Sequence, residues 1–157
     1  MDFDLSDEQR AFQQAVADFA VDRVAPRAGA IDESGEFPRD LVGGSAALGL
    51  MGITVAREWG GGGRDHVSYA LAVEAVARAS AVVAVIAAVN NSLVAEPIAE
   101  FGSQAQKQAW LRRLASGESI GSFALSEEQA GSDAANQHTI AVAQGDYTLS
   151  LHDALPI

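Results

Sequence analysis

The sequence contains no cysteine. That absence removes disulfides, thiolate zinc sites and thiol nucleophiles together, and it fits an intracellular setting. Metal-binding patterns are missing too: His66, His138 and His152 stand singly, without the i,i+4 or His-x-x-Glu-His spacing that a helical metal site needs, so no metal is expected. Basic residues are scarce, with 10 Lys and Arg against 21 Asp and Glu and a formal net charge of −11. A surface of that sign repels phosphate backbones and anionic headgroups, which argues against nucleic acid as a partner. No basic stretch followed by an apolar one comes after Met1, so no secretory signal is read and a cytoplasmic location is expected. The most apolar run, Ala81 to Val89, falls well short of the roughly 20 residues of a bilayer crossing, and no membrane insertion is expected.

What remains is ample for a packed fold: 157 residues, 48% of them hydrophobic. Ser6-Asp-Glu-Gln9 has the form of a capping box and predicts a helix carrying Phe12, Val16, Phe19 and Ala20 at helical spacing, disturbed or ended by Pro26. Ile31 to Phe37 is acidic and reads as a connector. Pro38 is placed to open a second helix that runs to about Leu48, with Gly49 as its left-handed stop. Leu50 to Val55 is a short apolar run, and Arg57 to Gly63 reads as a flexible surface loop. Its four consecutive glycines fit neither Gly-x-Gly-x-x-Gly nor Gly-x-x-x-x-Gly-Lys-Ser/Thr, so no phosphate loop is read there.

Asp65 can cap a third helix in which Glu74 and Arg78 pair at i,i+4. A fourth follows Ser80, apolar on nearly every side and expected to be buried all round, and Asn90-Asn-Ser-Leu93 ends or bends it. Ser103 to Gln106 is a second capping box, opening a helix through Trp110, Leu111 and Leu114 that stops at Gly117. Lys107, Arg112 and Arg113 on it read as a solvated face. After Gly117 the period changes to a compact strand-like run, Ile120 to Leu125, and then to the small, acidic loop Ser126 to Asp133. In that loop Ser126 and Ser132 offer hydroxyls, and Ala130-Gly131-Ser132 is slight enough for a ligand to approach main-chain N–H groups. Its plain alternative is a turn whose polar side chains serve their own backbone.

Phe123-Ala-Leu-Ser-Glu-Glu-Gln-Ala-Gly-Ser-Asp133 resembles the flavin-loop signature of the acyl-CoA dehydrogenase family, with Glu128 in place of the usual proline and Asn136 where a small residue is preferred. Further segments are similar to the family in the same order: Asp4 to Arg10, Leu48 to Ile53, Ser68 to Glu74, Asn91 to Leu93 with Pro97-Ile98, Phe101-Gly102 with Gln106-Lys107, and Leu114 to Glu118. The likeness spans residues 2 to 149 and stops after Gly145-Asp-Tyr147.

The resemblance implies a mainly α chain: an up-down helical bundle followed by the first strands of an incomplete β-barrel-like domain. Its expected divisions are an N-terminal helical domain over 1–118, the start of a middle β domain over 119–149, and a non-native tail over 150–157. It implies a piece of a longer FAD-dependent enzyme that α,β-dehydrogenates acyl-CoA thioesters in fatty-acid or branched-chain amino-acid catabolism, with FAD taking the hydride. Phe123, Leu125, Ser126, Gly131 and Ser132 are then expected at the cofactor, and Ser132 also at the substrate. The catalytic carboxylate is expected in a domain outside this chain, which leaves Glu127 as a loop-structuring group and Glu128 exposed. Acyl-CoA, electron-transfer flavoprotein and a homotetrameric assembly are the implied partners. An acyl-CoA oxidase or flavin monooxygenase of the same fold, or a helical docking module without chemistry, are the alternatives.

Overall fold

Ser6 and Gln9 start the first helix in the manner their spacing predicts. Gln9 N donates to Ser6 Oγ at 3.1 Å and Ser6 N to Gln9 Oε1 at 2.9 Å, so two of the helix's orphan donors are satisfied reciprocally. This is α1, Asp7–Phe19, with Phe12 and Val16 inward. The computed structural model describes residues 4–144, 147–151 and 155–156 of the chain.

Pro26 does not end the helical path. The chain passes through a π turn, Ala20–Val24, and a 3₁₀ turn, Ala25–Arg27, into α2, Ala28–Ser34. Proline lacks the N–H that the ladder needs and its ring crowds the turn before it, so the helix widens ahead of Pro26 and tightens around it. The expected connector is thus helical as far as Ser34. Its charges, Asp32 and Glu33, lie on the exposed side while Ile31 enters the core. Gly35, at φ +67, stops the helix.

Pro38 precedes α3, Arg39–Ala47, as its cap and is not its first residue. Gly49 takes the expected left-handed conformation, φ +76. Leu50, Met51, Ile53 and Val55 are then all buried. The glycine segment behind them is not a flexible loop. A 3₁₀ turn, Arg57–Trp59, reverses the chain. Gly62 N, Gly63 N and Arg64 N then donate to Gly52 O, Val55 O and Ile53 O at 2.8, 2.8 and 2.9 Å. A Cβ at Gly61 would stand 2.1 Å from Val55 O, so the run of glycines serves close backbone approach.

Asp65 caps α4, His66–Ala79, its Oδ1 accepting from Ser68 N at 2.7 Å, and the Glu74–Arg78 pair forms at 2.6 Å. Ser80 caps α5, Ala81–Ala88. This helix is not buried all round: Val83, Ala84 and Ala87 face inward, while Val82 and Val85 are exposed. Asn90 does not end it. A π turn, Val89–Ala95, carries the chain into α6, Glu96–Phe101, and Ala81–Phe101 as a whole is long and apolar enough to cross a bilayer by length and composition. The length argument against such a span therefore fails. Its place in the bundle rests instead on buried amides at Asn90 and Asn91 and on a hydrogen bond between Glu96 Oε1 and His66 Nε2 at 2.8 Å. Ser103 and Gln106 form the second capping box, opening α7, Gln104–Ala115. Leu111 and Leu114 of α7 are buried, Trp110 is half exposed, and Gly117 closes the end at φ +71.

The chain divides into two compact units, Met1–Gly121 and Ser122–Ile157. The first holds three clusters: Phe12, Val16, Val24, Ile31, Leu41 and Val83 with their neighbours, Val55, Ala95, Leu111 and Leu114 under Trp59, and Val42, Met51 and Ala87 with Ile120 against them. Ile120 thus belongs to the helical core. The second unit begins its strand later than expected, with β1 at Ala124–Ser126. β2, Ile140–Gln144, pairs antiparallel with β3, Tyr147–Leu151, in register Ile140 to Leu151 through Gln144 to Tyr147. β4, Leu155–Pro156, pairs antiparallel with β1 across an irregularity. The expected turn at Gly145-Asp146, the lone His152 and parts of the proposed tail lie outside the described residues.

Candidate functional site

The loop singled out from its sequence is built on one carboxylate. Glu127, only 8% exposed, closes a tight turn with its main chain: Glu127 N donates to Ala130 O at 3.1 Å and Ala130 N to Glu127 O at 3.2 Å. Its side chain reaches the strand that returns. His138 N donates to Oε2 at 2.7 Å, Thr139 N to Oε1 at 2.9 Å and Gln129 Nε2 to Oε2 at 2.6 Å. Gln137 Nε2 adds a bond to Leu125 O at 2.5 Å. A carboxylate with so many donors is strongly favoured over its acid form.

Glu127 is accordingly held down to about 2, the Thr139 side chain first, then His138 N, with Thr139 N and Gln129 adding to them. The Thr139 hydroxyl is buried near the carboxylate but misses ordinary hydrogen-bond geometry. The donors that meet hydrogen-bond geometry are the His138 and Thr139 main-chain N–H groups and the Gln129 amide. The burial that would raise its pKa is outweighed by these donors. Sequence reasoning placed Glu127 as a structuring group but missed its partners. His138 and Thr139 give main-chain N–H groups, which leave no mark in side-chain identity.

This latch arranges the five expected cofactor residues within one unit. Phe123 stands half-buried just before β1, and Leu125 and Ser126 are half-buried within it. Gly131 and Ser132 are exposed immediately beyond the Glu127–Ala130 turn, and Ala130 packs inward with 0% exposure. Nothing lies within 4 Å of the position a Cβ would take at Gly131, and its φ is not left-handed. Glycine there is not demanded by the backbone. What it leaves is open space beside main-chain N–H groups, which suits a ligand that carries phosphate or a polar ring edge. Among the described residues the hydroxyls of Ser126 and Ser132 enter no hydrogen bond, so both are at hand as donors. The Ser126 and Ser132 hydroxyls and the open approach at Gly131 are compatible with a flavin nucleotide in donor chemistry.

Glu128 is exposed and carries no structural duty among the described residues. No group of three or more His, Asp or Glu suited to a metal ion occurs among them. Arg112 Nη2 donates to Glu58 O at 3.1 Å and Arg113 pairs with Glu118 at 2.9 Å, so this face of α7 is occupied with local contacts.

Residues 6–118 match the acyl-CoA dehydrogenase N-terminal domain. The chain belongs to the acyl-CoA dehydrogenase family. A probable acyl-CoA dehydrogenase of Bacillus subtilis, YngJ, is 45% identical over 93% of this chain and 38% of its own length. Among solved structures, butyryl-CoA dehydrogenase from Megasphaera elsdenii aligns with a TM-score of 0.84 and 38% identity, covering 93% of this chain and 39% of that one. An acyl-CoA dehydrogenase complexed with FAD from Bacillus anthracis aligns at 0.82 and 35% identity, over 88% of this chain and 24% of that one. A chain from a study of the electron transferring flavoprotein of Acidaminococcus fermentans aligns at 0.88 and 37% identity, over 96% and 40%. The family member described here therefore spans about two fifths of the length of such relatives.

Proposed function

We propose that this chain is the N-terminal part of a flavin-dependent acyl-CoA dehydrogenase, with residues 1–118 as its helical domain and residues 119–149 as the start of its β domain. FAD supplies the redox step when bound, accepting the β-hydrogen of an acyl-CoA thioester as hydride. Phe123 and Leu125 would give the ring an apolar wall, Ser126 a hydrogen bond to the flavin edge, and Gly131 and Ser132 the approach to its pyrophosphate. Ser132 would also meet the substrate's pantetheine side. The observation that carries this reading is the loop Phe123–Asp133, latched by Glu127 while Gly131 and Ser132 stay open.

The same observation limits what the chain can do. Abstracting the α-proton of a thioester needs a base whose pKa approaches the working pH. Glu127, near 2 and filled by donors, is too weak a base and is already committed. The family resemblance implies a proton-abstracting carboxylate outside this chain, along with most determinants of acyl-chain length, and the commitment of Glu127 to the latch agrees with that reading. Electron-transfer flavoprotein as the electron acceptor, a homotetramer and a cytoplasmic setting complete the proposal; a close structural likeness to a chain studied with such a flavoprotein supports the first.

The test is the visible spectrum of the complete polypeptide. The expected result is a bound flavin that butyryl-CoA or another short-chain acyl-CoA bleaches without oxygen. A folded, colourless protein that takes up no FAD would reduce the loop to a plain turn and overturn the reading.

A further inference from the structure

The helix that runs from Ala81 to Phe101 changes pitch where it carries its two buried amides. Over Val89–Ala95 it widens to a π turn, and Asn90 and Asn91 both show 0% exposure inside it. Such a turn is less favourable than regular helix and is retained where an inward group must sit off the ordinary period, often at functional positions. Asn90 uses its whole amide. Its Nδ2 donates to Met51 O at 2.7 Å and to Leu114 O at 3.2 Å, and its Oδ1 accepts from Gly121 N at 2.9 Å. The orientation is fixed chemically, because the reversed amide would set oxygen against two carbonyls and NH₂ against an N–H.

The third partner distinguishes Asn90 from a core residue. Gly121 is the last residue of the helical unit, and β1 opens at Ala124. A Cβ at Gly121 would lie 2.5 Å from Val94 Cγ1, so its backbone is pressed against the same π turn that presents Asn90. Asn91 supplies a natural control. It shares the turn and the burial, but its bonds go to Thr54, from Thr54 N to Oδ1 at 3.4 Å and from Nδ2 to Thr54 Oγ1 at 3.2 Å.

We propose that Asn90 is a positioning residue for the flavin loop: by holding the Gly121 N–H it fixes the point from which the chain enters Phe123–Ser126. This inference rests on the flavoprotein reading of that loop. A rigid ring recognised by a few groups on one strand loses affinity when the strand's starting point wanders, because the ligand must then order it on binding.

The experiment compares Asn90→Ala, Asn91→Ala and Asn90→Asp in the complete flavoprotein by FAD dissociation constant, visible circular dichroism of the flavin and Tm. Exchange of the Gly121 amide is followed in the present chain. Asn90→Ala is expected to weaken FAD by about tenfold or more and to alter the flavin dichroism. Asn91→Ala is expected to lower Tm comparably and leave FAD within about twofold. Asn90→Asp keeps the acceptor for Gly121 N while giving up donors to Met51 and Leu114. It should lose Tm but retain FAD, and it decides the matter if Asn90→Ala does not fold. The Gly121 amide should lose protection in Asn90→Ala and keep it in Asn91→Ala. FAD affinity that falls in step with Tm across all the variants would overturn the positioning role and leave the flavoprotein reading intact. A complete wild-type protein without flavin would overturn both.

Discussion

At Glu127 a single carboxylate joins a turn to the strand that returns beside it, and its low pKa makes that junction sensitive to acid. The folded value, about 2, lies below the ordinary 4.5. The stabilisation is therefore present in full above about 4.5 and is lost as pH falls through about 2. The His138 and Thr139 amides should lose hydrogen-exchange protection over that window in the wild type. In Glu127→Gln they should be weakly protected at every pH, because a neutral amide offers one acceptor oxygen where the carboxylate offers two. Protection that survives unchanged in Glu127→Gln would show that the turn stands without the carboxylate. The glycines give a second residue-scale contrast. Gly61→Ala sets a Cβ against the Val55 carbonyl, a backbone atom that cannot turn aside, and should cost about 1–3 kcal/mol or more in urea denaturation. Gly43 lies exposed within α3 with nothing within 4 Å of its would-be Cβ, so Gly43→Ala should stabilise by about 0.5–1 kcal/mol.

The caps dominate at the scale of elements. Ser6, Asp65, Ser80 and Ser103 each accept from a main-chain N–H three residues on; Ser6, Asp65 and Ser103 were legible as caps because capping uses side-chain identity at fixed spacing, whereas Ser80 was read only as the residue before a helix. Ser103→Ala should cost about 1 kcal/mol, read as a lower Tm with unchanged helix content at low temperature. What the sequence did not disclose has a common cause. Pro26 and Asn90 read as disturbing or ending their helices, and the chain stays helical through both, Pro26 in a 3₁₀ turn that follows a π turn and Asn90 within a π turn, because packing on both sides holds the helix together across the local fault. The Gly60–Gly63 run read as a mobile loop because glycine permits both freedom and close approach, and only the neighbours at Gly52 to Val55 decide between them. Ile120 read as strand because a short apolar run fits either a strand or a core contact. The loop Phe123–Asp133 was singled out through resemblance, and the latch within it through Glu127 alone, since its partners donate from the main chain.

The whole molecule divides its resources unevenly. Every residue of the three apolar clusters lies at or before Ile120, whereas the second unit contributes only Ala130 and Glu127 to the buried set among the described residues. Burial of large apolar side chains contributes about 1.5–3 kcal/mol each, and among the described residues that term belongs to the first unit. A chain ended after Gly121 should therefore keep the helical circular dichroism and a cooperative thermal transition within a few degrees of the longer chain. The loop Phe123–Asp133, by contrast, belongs to the unit with few buried side chains among the described residues, where local opening is expected to be easiest. On the proposed reading, the chain carries a share of a cofactor site and no base able to take an α-proton. Purified alone and supplied with FAD and short-chain acyl-CoA, it should give no flavin reduction above the protein-free rate. Measurable anaerobic bleaching by this chain would mean that a proton acceptor lies within it, and the placement of the base elsewhere would have to be abandoned.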